Sequence, residues 1–172
     1  MMEPDDVVVG IVALNGGELV GRTRLQKTAF LLEHCGMASG VPFDYYRYGP
    51  FAAELARGWD EAAAAGRLEM AERPGSHEMP YTVFSTDSEP PEKLGELDRD
   101  RAQEFLGVLD RYSDVVIELA ATIVYLRERD FSENVIEELK VRKPLKATDK
   151  RIKDALELLN RLGLGVEDPA AS

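Results

Sequence analysis

The sequence has few side chains that are suited to nucleophilic, acid–base or metal chemistry. Its two histidines are His34 and His77, and its single cysteine is Cys35. His34 and Cys35 are adjacent at the end of a predicted helix and point to different faces, so a shared metal ion or a Cys–His nucleophilic pair would need distant partners. We interpret Cys35 as a half-buried thiol, His34 as an ordinary helix-end residue and His77 as a solvated residue at a hairpin tip.

The glycines do not form a phosphate-binding loop. Gly16-Gly17 and Gly21 lack both the lysine of a P-loop and the spacing of a dinucleotide-binding turn. Acidic side chains are abundant, but they fall on predicted exposed helix faces. The sequence therefore predicts a protein that is not an enzyme, with no catalytic residue, no metal site and no cofactor.

The charge balance limits the kinds of partner. Lys and Arg number 21 against 32 Asp and Glu in 172 residues, a net charge of -11, which argues against a protein that coats nucleic acid with its whole surface. One segment is basic, with Asp149 as its single acid. It contains Lys140, Arg142, Lys143, Lys146, Lys150, Arg151 and Lys153. Two interpretations stay open: a solvated helix end and loop, or a surface for a phosphate backbone or an acidic partner.

The predicted compartment is the cytoplasm. No apolar run approaches the roughly 18 residues of a membrane span. The first residues, MMEPDD, are acidic where a secretory signal is positively charged, and one cysteine forms no internal disulfide. We expect no membrane contact.

The N-terminal half has the predicted element order of a winged helix: two helices, a short strand, a third helix and a β hairpin. Apolar spacing predicts helices over 4–15 and 23–35, with Gly36 ending the second, and another helix over 52–65. Alternation predicts a hairpin over 67–86. From Phe51 to Pro90 there are 3 basic and 8 acidic residues, so the predicted third helix and hairpin would be repelled by DNA.

The C-terminal half is predicted to be helical. The run DSEPPEKLG at 87–95 is a candidate boundary between a winged-helix-like domain, 1–88, and a helix-turn-helix-like domain, 96–166. The latter contains an almost wholly apolar central helix over 115–126, a helix that begins near Ser132 and Asn134, and a last helix capped by Thr148. The predicted class is α+β, mainly α with a small β hairpin.

Aromatic residues are concentrated between 43 and 51. If this segment is one strand, alternation sends Tyr46 and Tyr48 to one face and Tyr45 and Arg47 to the other. One pair then belongs to the core and the other is available to a partner, since Tyr and Arg commonly anchor protein interfaces.

These residues also carry a family resemblance. Arg24-Leu25-Gln26-Lys27, followed by Tyr45-Tyr46-Arg47-Tyr48-Gly49-Pro50-Phe51 and Glu54-Leu55, resembles the "LQKL…F…YRYGPYS…L" pattern of the Panacea-domain (SocA-like) antitoxins and the YwgA-like bacterial and archaeal proteins. The later run Val135 to Lys140 with Lys143-Pro144 is more similar to the YwgA-like group.

The resemblance implies a compact, mostly helical domain with a small sheet and no catalytic residues. Panacea-domain antitoxins neutralise varied toxins through protein contacts. The implied partner-binding positions are those that match the motif: Arg24, Lys27, Tyr45, Arg47, Tyr48 and Pro50.

Two functional hypotheses follow. The first is a non-enzymatic protein-interaction module, either antitoxin-like or an accessory subunit of a regulatory or defence complex, whose acidity accelerates association with a basic toxin. The alternative is a DNA-binding transcriptional regulator of winged-helix type that uses the basic segment 140–153. A homodimer remains open under both hypotheses.

Overall fold

The protein alternates helices with short strands in its N-terminal half and is helical in its C-terminal half. We analysed a computed structural model that describes residues 1–76, 79–129, 131 and 133–165. The helices are α1 (Pro4–Leu14), α2 (Arg22–Leu32), α3 (Ala53–Ala64), α4 (Arg99–Leu109), α5 (Asp114–Arg127), α6 (Val135–Arg142) and α7 (Asp149–Arg161). The strands are β1 (Glu18–Val20), β2 (Asp44–Tyr46), β3 (Gly49–Phe51), β4 (Glu69–Arg73), β5 (Tyr81–Ser85), β6 (Lys93–Leu94) and β7 (Leu97–Asp98).

The mainly helical α+β class predicted from the sequence is confirmed. The predicted helix over 52–65 is α3, and Thr148 caps α7 by accepting a hydrogen bond from the Arg151 amide at 3.3 Å. Gly36, with φ of +111°, lies in a π-helical turn that follows α2. The predicted tip residue His77 and the predicted helix start Ser132 lie outside the described residues.

A three-stranded antiparallel sheet packs beside α1 and α2 and contacts α3. Its strand order is β1-β5-β4, and Phe84 of β5 packs against Trp59 of α3 with ring centroids 5.3 Å apart. The predicted order of helices and hairpin is present. The sequence predictions do not include β1, because three residues are too few to show alternation.

The segment predicted as a boundary is packed against both halves. β6 and β7 form a tight antiparallel pair, and Leu94 at the end of β6 is fully buried beside Gly10 of α1. The Glu96 amide donates to the Met37 carbonyl at 2.9 Å. Buried residues on both sides of the segment belong to one hydrophobic core. The division into 1–88 and 96–166 stays a prediction about folding units, and the shared core argues against their independence.

The apolar helix predicted to be central to the C-terminal half is α5, and it contacts elements of both halves. It packs against α2 and β3 on one side and against α6 and α7 on the other. Ile117, Leu119 and Ile123 are fully buried. No helix among the described residues has the length and apolar character that crossing a membrane requires.

If the core is continuous, shortening Leu94 will destabilise the whole chain. We expect Leu94→Ala to lower the free energy of unfolding by about 2–5 kcal/mol, because it leaves a cavity between the halves. Urea unfolding followed by both circular dichroism and Trp59 fluorescence should show one transition. Leu145→Ala, at a loop position that is 90% exposed, is the control and should cost less than about 0.5 kcal/mol. A Leu94→Ala effect no larger than that of the control would contradict the shared core.

Candidate functional site

The aromatic segment is a tight hairpin, not the single strand that the sequence predicts. Tyr46 pairs with Gly49, which leaves Arg47 and Tyr48 as a two-residue turn. Gly49 has φ of +95°, and a Cβ at this position would lie 2.6 Å from Thr122 Oγ1. Both the backbone conformation and the approach of α5 therefore favour glycine.

The turn determines which aromatic side chains reach solvent. Tyr45 is half-buried, with its ring 5.4 Å from that of Tyr125 and the Arg142 guanidinium 4.9 Å from its centre. Tyr46 and Tyr48 are 54% and 46% exposed, and Arg47 is exposed with them. The predicted pairing of Arg47 with Tyr45 on one face is wrong, because strand alternation ends at Tyr46.

Side chains of α2 hold the returning strand of this hairpin. The Gln26 side-chain amide donates to the Ala52 carbonyl and accepts from the Ala52 amide, both at 2.9 Å. Lys27 Nζ donates to the Pro50 carbonyl at 2.6 Å. Both side chains are buried. The Leu-Gln-Lys and Tyr-Gly-Pro motifs are thus joined by hydrogen bonds from two side chains of α2 to the backbone of Pro50 and Ala52.

A buried carboxylate lies beneath the hairpin. Glu118 of α5 is 3% exposed, and Lys146 Nζ lies 3.0 and 3.1 Å from its two oxygens. Lys143 Nζ lies 3.4 Å from the same carboxylate and also donates to the Arg47 carbonyl at 3.0 Å. Lys27 is close enough to interact electrostatically with all three groups. We call Lys27, Glu118, Lys143 and Lys146 the lysine–glutamate cluster.

Burial changes the acid–base behaviour of this cluster. It lowers the pKa of Lys27 from 10.5 to about 8, with the Glu118 charge opposing the shift and the other two ammonium groups adding to it. Burial also lowers the pKa of Lys143, against the attraction of Glu118. In the described part of the chain, every buried side-chain nitrogen and oxygen has a hydrogen-bond partner.

Of the six motif positions implied as partner-binding, Tyr45 is half-buried and the other five fall into two groups. Lys27 and Pro50 are buried, and Arg24 is largely buried where its guanidinium donates to the Leu109 and Tyr112 carbonyls. The Arg24 and Lys27 side chains are bonded to carbonyls of other parts of the chain, and the role of all three residues in partner binding stays a prediction. Arg47 and Tyr48 are exposed.

The basic segment is not a uniform patch. Lys143 is buried, while Lys146 pairs with Glu118, and Arg151 donates to the Lys146 carbonyl at 3.2 Å. The remaining ion pairs are Arg142–Glu138 at 2.8 Å, Lys140–Asp149 at 3.5 Å and Lys150–Asp154 at 3.5 Å. Lys153 is exposed and has no ion pair among the described residues. The sequence spacing does not distinguish these roles.

His34 and Cys35 occupy structural positions. His34 Nε2 lies 2.7 Å from Glu128 and Nδ1 lies 3.0 Å from the Phe30 carbonyl. Burial raises the pKa of the Cys35 thiol to about 12. Within the described ranges, no three His, Cys, Asp or Glu side chains are grouped as a metal site requires.

Glu118 is absent from the sequence predictions, although the sequence contains a signal for it. A single carboxylate inside an otherwise apolar helix is rarely buried without a partner. That signal identifies a buried charge, but it does not identify the lysines that neutralise it.

Comparison with known proteins finds a distant relative of the chain. No family model matches the chain. It is 24% identical over 150 residues to the uncharacterized protein YwgA of Bacillus subtilis (strain 168), an alignment that covers 86% of this chain and 90% of that protein. The chain is therefore similar to YwgA over most of its length, which supports the YwgA-like part of the resemblance.

The lowered pKa of Lys27 gives a pH-dependent stability. Between about pH 8 and 10.5 the unfolded chain retains a proton that folded Lys27 has lost, so the stability of the wild type relative to Lys27→Met should rise through this window. The slope is at most about 1.4 kcal/mol per pH unit. Urea unfolding at pH 7, 8.5 and 10 measures it, with the exposed Lys153→Met as the control. A stability difference that stays constant with pH would disprove the shift.

Proposed function

We propose that the protein is a non-enzymatic protein-interaction module, either antitoxin-like or an accessory subunit of a regulatory or defence complex. We define its hairpin surface as Tyr46, Arg47 and Tyr48 of the hairpin together with Val141 and Leu145, which lie within two residues of Lys143 and Lys146, the lysines that contact the hairpin. The observation that carries the proposal is that two tyrosines and an arginine are exposed on a turn whose backbone is fixed from beneath by Lys27 and Lys143.

The composition of the hairpin surface suits protein recognition. Tyr and Arg are enriched among the residues that contribute most binding energy. Val141 and Leu145 are large apolar side chains exposed on the neighbouring helix end and loop. A turn that is already held in place loses little conformational entropy when a partner binds it.

The chemistry of the remaining polar residues supports a non-enzymatic role. The pKa of Cys35 is about 12, so its thiol is not a ready nucleophile at neutral pH. Both ring nitrogens of His34 are hydrogen-bonded.

The alternative remains DNA binding through the basic segment, and the structure offers it less support. Most cations there have partners within the protein, which reduces the charge available to phosphates. The exposed side of α3 presents Asp60 and Glu61, and its Arg57 is paired with Glu61. If the chain shifts no duplex DNA even at low salt, this alternative fails.

Co-purification tests the proposal. The chain would be co-expressed with the products of its neighbouring genes, as wild type, as Tyr46→Ala/Tyr48→Ala and as the control Tyr81→Ala, an exposed tyrosine on β5. We expect a stoichiometric partner with the wild type and the control, and binding weakened at least about thirtyfold in the double variant, since such anchors contribute about 2 kcal/mol or more. A chain that stays alone, or a partner retained equally by the double variant, would refute the proposal.

A further inference from the structure

The charge around the hairpin is opposite in sign to that of the whole protein. The net charge is -11, yet the lysine–glutamate cluster places three ammonium groups around a single carboxylate. Arg47, whose carbonyl accepts from Lys143 of this cluster, adds an exposed guanidinium that has no ion pair among the described residues. Positive charge is therefore in excess at this one place.

The excess charge reaches the surface through Lys146. Its side chain is 37% exposed while bonded to Glu118, and its ammonium lies 4.8 Å from the centre of the Tyr48 ring. Tyr48 thus presents its aromatic ring beside Lys146, and it follows the exposed Arg47 directly in the turn. A carboxylate that binds Arg47 and Lys146 would leave the bonds that hold the hairpin intact, because Lys27 and Lys143 donate those bonds.

We infer that the hairpin surface binds an acidic segment of a partner protein that also carries an apolar side chain. The inference rests on the proposed function and specifies its ligand. The carboxylates would pair with Arg47 and Lys146, and the apolar side chain would pack against Tyr48 and Leu145.

A polyanionic nucleic acid fits this surface less well. Leu145 and Val141 are 90% and 73% exposed and offer nothing to phosphates. A long phosphate backbone would also extend beyond this small cationic area onto a chain with a large negative charge, and would be repelled there. A short acidic protein segment would contact only the cationic hairpin surface and would not extend onto the negatively charged remainder of the chain.

Selection from a random-peptide display library provides the test. The library would be selected on the immobilised wild-type protein and depleted on Arg47→Glu. This variant alters an exposed side chain outside the buried cluster, so its fold should be kept. We expect the enriched peptides to combine Asp or Glu with Leu, Phe or Trp.

The best peptide would then be measured by fluorescence anisotropy. We expect its Kd to rise at least tenfold for Arg47→Glu and for Tyr48→Ala, and to be unchanged for Arg57→Glu, the control on α3. Binding should weaken from 50 to 300 mM salt. Basic or neutral enriched peptides, no enrichment, a Kd unaffected by Arg47→Glu, or a duplex DNA that binds more tightly than the peptide and depends on Arg47 would each overturn the inference.

The partner from co-purification separates the two proposals. If Tyr46→Ala/Tyr48→Ala loses that partner and Arg47→Glu retains it, the acidic ligand is wrong while the hairpin surface stands. If both variants retain it, the hairpin surface is wrong as well.

Discussion

The structure depends on the pairing of one buried carboxylate with the lysines around it. Glu118 lies in a largely buried helix, α5, where an unpaired charge is costly, and it receives Lys143 and Lys146 from the segment after α6. Removal of one member of such a group typically costs about 3–5 kcal/mol, because the remaining charge stays buried. The connection between α6 and α7 is thereby tied to the central helix.

The same cluster fixes the hairpin. Lys143 reaches the Arg47 carbonyl and Lys27 reaches the Pro50 carbonyl, so the two lysines hold the turn at two points. Gly49 allows the turn to approach Thr122 of α5 closely. The buried motif positions Lys27 and Pro50 therefore support the hairpin from within the protein, and Tyr46, Arg47 and Tyr48 are the residues that the supported hairpin exposes.

Most helices could be predicted from the sequence, whereas the contacts between residues distant in the chain could not. The helices follow from apolar spacing and from caps such as Thr148, which are local properties of the chain. The hairpin at 44–51 was harder to predict, because a two-residue turn within an aromatic run looks like one strand. The burial of Lys27 and Lys143 was beyond local reasoning, since it requires Glu118, which lies 91 residues after the first and 25 before the second. The partners of the cations in the basic segment could not be predicted either, because residues that are close in sequence have different partners in the folded protein.

Amide hydrogen exchange across the hairpin is the most direct test of this account. In Glu118→Gln, the lysines lose their counter-charge and the turn should loosen. We predict that the amides of Gly49, Phe51 and Ala52 exchange at least tenfold faster than in the wild type, relative to the amides of α1 and α3 as internal references. Glu104→Gln, an exposed carboxylate of α4, should leave them unchanged. Unchanged protection of the hairpin in Glu118→Gln would contradict the claim that this carboxylate holds the interaction surface in place.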